Sequence, residues 1–215
     1  DYDTAFSSVS NLRGSLHIEP RAQFYANLSE YLRQAKQYEE AVDAAETAIT
    51  IDSQFALAYR ALGNVYFELG DYLNAAYNYQ LVVLYDPGEM SAWYNLGVAY
   101  SEMGELDEAV MALEVVVTEG HDSPEYISSL NNLAYLYIDK LEAHYDRAIE
   151  LAETALALIE DDTQRGYVLD TIAWGFFKSG DCAQANVLIL EAVELVRDNP
   201  EIQDHLAIIE SDCES

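Results

Sequence analysis

Apolar and aromatic positions recur along this chain at helical spacing, and the pattern itself repeats. Over residues 56–69, Tyr59, Leu62, Gly63, Tyr66 and Leu69 share one face. That is the i, i+3, i+4, i+7 spacing of an amphipathic helix. Gly70-Asp71 predicts its end, since Gly suits the left-handed position after a helix and Asp can cap the next one. Ala75, Tyr79 and Val82 then continue at helical spacing until Pro87 stops the pattern. The unit is a pair of helices joined by a short turn. Its face returns at intervals of 34 residues: Tyr25, Tyr59 and Trp93; Leu28, Leu62 and Leu96; Ala41, Ala75 and Ala109; Gly63 and Gly97; Tyr66 and Tyr100. A fixed period of this length predicts stacked helical hairpins rather than one globular core.

Size selection at the repeated positions supports the same reading. Gly63 and Ala75 sit where the two helices of a hairpin approach, so a large side chain there would overpack the contact. The aromatic and leucine positions fill the spaces between neighbouring hairpins. Later segments drift. Residues 127–162 carry Leu130, Leu133-Ala134, Tyr137, Ala148, Ala152 and Ala155. Their hairpin is longer by two residues, which predicts an enlarged loop at 139–146. Residues 166–199 carry Leu169, Ile172-Ala173, Phe176, Gly180-Asp181, Ala185, Ile189 and Ala192. The division is thus an N-terminal extension (1–21), five units (22–55, 56–89, 90–123, 127–162 and 166–199), and a C-terminal capping helix with its tail (200–215). Phe6, Val9, Leu12 and Leu16, followed by Pro20, predict a helix in the extension.

These residues resemble the tetratricopeptide repeat family, whose pattern runs aromatic, Leu-Gly, Tyr, then Ala, aromatic, Ala, Pro. Residues 56–89 match it as Tyr59, Leu62-Gly63, Tyr66, Ala75, Tyr79, Val82 and Pro87. Residues 90–123 match as Trp93, Leu96-Gly97, Tyr100, Ala109, Leu113 and Val116, with His121 in place of the proline. Residues 22–55 match as Tyr25, Leu28-Ser29, Leu32, Ala41, Ala45 and Ala48. The resemblance spans 22–210. It implies an all-α, right-handed superhelical solenoid of about five repeats with a C-terminal capping helix. The implied function is a non-catalytic protein–protein interaction scaffold that binds a peptide segment of a partner in its concave groove.

In such a solenoid the first helix of each unit lines the groove, and the resemblance places there Asn27, Arg60, Asn64, Tyr94, Asn95, Asn131, Asn132, Tyr135, Tyr167, Trp174 and Phe177. Asparagine recurs among them. An amide donates and accepts, so it can pair with the backbone of an extended peptide; the alternative is a polar residue tolerated on an exposed helix. Arg60, Asn64 and Asn95 occupy positions where related co-chaperone domains hold a terminal carboxylate. Ser128 and Asn132 stand where two further cations would be needed. Arg60 could hold one carboxylate alone or pair with a neighbouring acid. Tyr167, Trp174 and Phe177 form an aromatic patch, either an anchor for a partner or a surface covered by the helix at 200–210.

Charge narrows the partners. Asp and Glu total 39 against 10 Lys and Arg, a net charge of −29, and neither cation occurs between Arg60 and Lys140. Nucleic acid and anionic membranes are disfavoured because both need cationic surface. A protein or peptide partner that is basic is attracted, most strongly at low salt; solubility alone is the other explanation. No apolar run approaches the roughly 18 residues that span a bilayer. Two cysteines do not make a disulfide framework: Cys182 reads as a small core residue and Cys213 as part of a polar tail. There is no Gly-rich phosphate loop and no His-Glu-x-x-His, and His17, His121, His144 and His205 are scattered surface or cap histidines. The acidic loop at 139–146 lacks the oxygen spacing of a calcium loop. No enzyme chemistry, metal or cofactor is expected. Self-assembly into homo-oligomers through the groove aromatics, or service as a regulatory domain of a larger protein, are the alternative functions. The chain opens on Asp1 without Met and reads as trimmed, which hides any export signal; a cytoplasmic setting is favoured and an extracytoplasmic one stays open.

Overall fold

The computed structural model describes residues 22–213, and among these eleven α-helices and one π-helical segment follow one another without a strand. The helix expected on Phe6 to Leu16, with His17 and Pro20, lies outside the described residues. The chain forms two compact units, Asp1–Met103 and Gly104–Ser215. The first contains α1 (Ala22–Gln34), α2 (Tyr38–Ile51), α3 (Ala56–Glu68), α4 (Tyr72–Tyr85) and α5 (Met90–Met103). The second contains α6 (Leu106–Glu119), α7 (Tyr126–Tyr135), the π segment Leu136–Lys140, α8 (Tyr145–Leu156), α9 (Asp162–Ser179), α10 (Cys182–Leu195) and α11 (Pro200–Cys213).

Alanine sets the spacing in the first unit. Helix α2 buries Ala41, Ala44, Ala45 and Ala48 and no larger side chain. Those alanines build three small clusters with α1 and α3: Ala26 and Ala58 with Ala48; Leu32 and Val65 with Ala41 and Ala44; Ala61 and Leu62 with Ala45. Small side chains let the helix axes approach, and dispersion at close range then adds to the removal of apolar area from water. Gly63 serves the same end. Its empty side is filled by the buried Tyr79 ring of α4, which a Cβ on Gly63 would meet at 2.9 Å.

The turns follow the same period. After α1 the Gln37 N–H bonds Leu32 O at 2.9 Å, after α3 Asp71 N–H bonds Tyr66 O at 2.9 Å, and after α9 Asp181 N–H bonds Phe176 O at 2.8 Å. Each closure puts one residue in the left-handed region: Gly70 at φ 73° and Gly180 at φ 92°, but Lys36 at φ 60°. Asp71 and Asp181 then accept from Asn74 N and Gln184 N and cap α4 and α10.

In the second unit the enlarged hairpin turn expected at 139–146 takes a specific form. Helix α7 passes into a π turn, which accommodates an extra residue and keeps Leu136 and Ile138 buried. Glu142 and His144 then bend the chain with φ of 47° and 54°. Gly175 of α9 lets Ile138 and Ile149 come close, and Gly166 lies against Val196 and Leu195.

The cysteines overturn the sequence reading. Cys182 and Cys213 form a disulfide with Cα atoms 5.6 Å apart, 31 residues apart in sequence. Cys213 is the last described residue of α11, not part of a loose tail. The cause is geometric. Helices α10 and α11 are both 14 residues long, so a hairpin of the two places the end of one beside the start of the other. Among the described residues no helix is long and apolar enough to cross a membrane.

Two substitutions test this account. Lys36→Gly relieves a left-handed side chain and raises stability by about 0.5–1 kcal/mol in urea unfolding. Gly63→Ala drives a Cβ into a ring with nowhere to go and lowers stability by about 1–3 kcal/mol in the same assay.

Candidate functional site

A polar cavity lies in each unit. In the first, of about 350 Å³, Asn27 and Glu30 project from α1, Arg60 and Asn64 from α3, and Ser91 and Asn95 from α5, over a floor that includes Ala26 and Ala61. Leu57 completes the apolar lining, and the two alanines leave room for the polar groups around them.

These polar groups differ in how far they are committed. The Tyr79 hydroxyl donates to Asn64 Oδ1 at 2.9 Å, which leaves the Asn64 amide nitrogen for the Glu30 carboxylate. Burial pushes the Tyr79 hydroxyl pKa well above its ordinary value, so it stays a donor. Arg33 bonds Glu30 and reaches Glu68 on α3. The Arg33 hydrogen bond, helped by Gln34 and Asn64, outweighs burial and holds the Glu30 carboxyl below its usual range. Asn27 accepts from Gln23 at 2.9 Å. Asn95 makes no side-chain hydrogen bond with a described residue. Of the two roles open to Arg60, the structure shows pairing with an acid: Arg60 lies 3.5 Å from Glu89, which also accepts from Ser91 at 2.6 Å. Tyr94, on α5 beside Asn95, is half-buried and lines neither cavity.

The second cavity, of about 340 Å³, gathers Asn131, Asn132 and Tyr135 from α7 with Tyr167, Asp170 and Trp174 from α9, and α11 adds Glu201 and His205. Helix α11 seals one side. His205 Nδ1 lies 2.9 Å from Asp170 Oδ1, and its ring stacks on Trp174 at 4.2 Å and 12°. Phe177 stacks on the same indole at 5.0 Å without lining the cavity. The aromatic patch is therefore split between the two readings of it. Trp174 is covered, at 9% exposed, whereas Tyr167 stays open at 44%. Two buried atoms here lack a hydrogen-bond partner among the described residues: Asn131 Oδ1, and Trp174 Nε1, which only leans toward Asp139.

Sequence reasoning places Asp170 among the groove-facing positions of the fifth unit, but it gives neither Glu201 nor His205 a place in the site. A signal for them existed in the spacing. Arg33–Glu68 and Asp170–His205 are both ion pairs 35 residues apart, one repeat period plus one, and Lys178–Glu142, across the enlarged turn, are 36 apart. Among the described residues no three His, Cys, Asp or Glu side chains gather to hold a metal ion.

The His205 contact is sensitive to pH. Burial works against the imidazolium, but Asp170, with the charges of Glu201 and Asp139, outweighs it and raises the pKa above its ordinary value. The charged pair therefore stabilises the fold fully below about pH 6.5, the unfolded value. That contribution fades as pH rises through the higher folded value. In scanning calorimetry the melting temperature falls across neutral pH, and Asp170→Asn flattens that fall.

Family models described as "TPR repeat" match residues 31–70 and 63–104, and models described as "Tetratricopeptide repeat" match 91–118 and 129–166. One curated relative, the general transcriptional corepressor trfA of Dictyostelium discoideum, is 28% identical over 120 residues, 54% of this chain; the match spans only 8% of that protein's length. Among solved structures, MamA from Desulfovibrio magneticus RS-1 is similar at TM-score 0.71 and 19% identity, covering 85% of this chain and 98% of that one. YrrB, titled a TPR protein with an unusual peptide-binding site, is similar at TM-score 0.70 and 16% identity, covering 84% and 89%. PilF of Pseudomonas aeruginosa follows at TM-score 0.69 and 19% identity, covering 87% and 88%. These structural likenesses carry the fold alone. The matched repeats together take in more than half of the chain, which belongs to the tetratricopeptide repeat family.

Proposed function

We propose that this chain is a protein-interaction scaffold whose two polar cavities bind peptide segments of a partner, and that the partner segment is basic. The observation that carries this reading is the uncommitted Asn95 amide, which lines the same cavity as the Arg60–Glu89 pair. Its donor and acceptor suit one peptide unit of an extended chain. Arg60 is held by a single contact at 3.5 Å, so an incoming carboxylate or carbonyl can recruit it at small cost. Asn27, Asn64, Asn131, Asn132, Tyr135 and Tyr167 supply further edge and face contacts. The acidic surplus favours Lys- and Arg-bearing segments and speeds their encounter. The corepressor match, a short stretch of a much longer protein, favours a module that serves a larger assembly.

A random peptide library displayed on phage and selected on the full chain tests the proposal. Selected sequences are enriched in Lys and Arg, and their affinity falls as salt rises. Asn95→Ala weakens them by about tenfold, roughly 1.4 kcal/mol, and leaves the melting temperature unchanged. Asn64→Ala behaves differently, because it strands the buried Tyr79 hydroxyl and costs about 1–3 kcal/mol of stability. Selected peptides that bind the Asn95 variant unchanged would remove the amide from the mechanism.

A further inference from the structure

Helix α11 packs against α9 and α10 along one face. It places three anchors in a row: Ile202 and Ile209, at 1% and 0% exposed, and His205 between them, on Trp174 and Asp170. The remainder of its surface is largely exposed and includes Glu201, Asp204, Glu210 and Asp212. A 14-residue helix is marginal by itself, so it persists through what it docks on. At its start the Asn199 side chain accepts from Ile202 N at 3.0 Å. At its far end it is held covalently, by Cys213 to Cys182. Both cysteines are only partly buried, which leaves the disulfide within reach of a thiol in solution.

We propose that the face of α9 and α10 beneath α11 is a docking site for a partner's amphipathic helix, that α11 is its built-in occupant, and that the Cys182–Cys213 disulfide keeps it closed. The built-in occupant shows what the site accepts: aliphatic side chains seven residues apart, with a cationic group between them facing Asp170. His205 stands in for that cation, and a lysine or arginine would meet the same carboxylate, with Glu201 lost from the rim as α11 departs. Opening is a two-electron thiol–disulfide exchange. A dithiol reductant gives up two electrons and two protons; its sulfurs join to each other, the Cys182–Cys213 bond breaks, and two thiols form. Helix α11 then keeps only non-covalent contacts and exchanges with helices in solution. The proposal rests on reading the second cavity as part of the binding surface, but the first arm of its test needs no ligand.

Trp93→Phe in the full chain leaves Trp174 as the sole tryptophan. Acrylamide quenching of its emission is measured with the disulfide intact, after dithiothreitol, and in a Cys213→Ser background. Quenching rises severalfold on reduction, and the serine variant shows the raised value without reductant. Unchanged quenching in both would overturn the gate while leaving the peptide reading of the first cavity intact. In the second arm, a labelled peptide with the sequence of residues 200–213, serine replacing its cysteine, is titrated into the full chain. It binds the reduced protein severalfold more tightly than the oxidised one, and Asp170→Asn reduces that binding. Equal binding in both redox states, or binding indifferent to Asp170→Asn, would sink the docking site even if the helix opens.

Discussion

The close approach of helices at alanine and glycine is the constraint on which the other features depend. Were α2 to carry leucine at Ala41, Ala44, Ala45 and Ala48, α1 and α3 would be pushed apart and their polar faces with them. Asn27, Glu30, Arg60 and Asn64 converge on one cavity only because the residues beneath them are small. Gly63 shows the link at atomic scale. Its missing side chain admits the Tyr79 ring, and the position of that ring brings its hydroxyl to Asn64. A packing decision in the core thereby fixes the orientation of a polar group at the surface.

That coupling explains what the sequence disclosed and what it withheld. Packing positions repeat because each hairpin solves the same contact, so Leu62, Ala75, Val82 and their counterparts announced the helices and the family. The turn glycines were legible for the same reason: Gly70 and Gly180 sit where a left-handed residue is required, and Lys36 breaks the series without breaking the turn. The site was legible by residue type but not by partner. Asn64 and Asn95 look alike in one sequence, yet one is oriented by Tyr79 and the other is uncommitted. Pairing of Arg60 with an acid was one of the two roles its sequence offered, but which acid depended on the fold bringing Glu89 beside it. Trp174 and His205 were visible separately, and their stacking depended on where α11 lies. The disulfide was hidden because its cue is the equal length of two helices, which single-residue chemistry does not contain.

Electrostatics works through placement more than through stability. Arg33, Arg60, Lys140, Arg147 and Lys178 each lie within ion-pair distance of an acid. Such half-exposed pairs contribute little individually. They take up five of the ten Lys and Arg, and the surplus carboxylates far outnumber the rest. A chain of net charge −29 then presents a negative field to any approaching segment. That field is not sequence-specific. Discrimination falls to the groups with fixed orientation, which are the amides and the aromatic faces.

Those groups are fixed to different degrees, and the gradation has a physical basis. Asn64 is held from behind by a buried donor and from the side by Glu30, so its amide nitrogen points one way at almost no entropic cost on binding. Asn95 is unheld and must be ordered by a ligand, but it retains both its donor and its acceptor for that ligand. Arg60 is intermediate, tethered to a carboxylate that can release it. Under the proposed function, one rigid, one adjustable and one exchangeable polar group suit a peptide backbone, which offers the same amide at each residue, more than any one side chain. The second cavity follows a different logic. Its aromatic wall and its Asp170–His205 pair fix a particular shape and a particular charge, so the proposed binding places selectivity there and tolerance in the first.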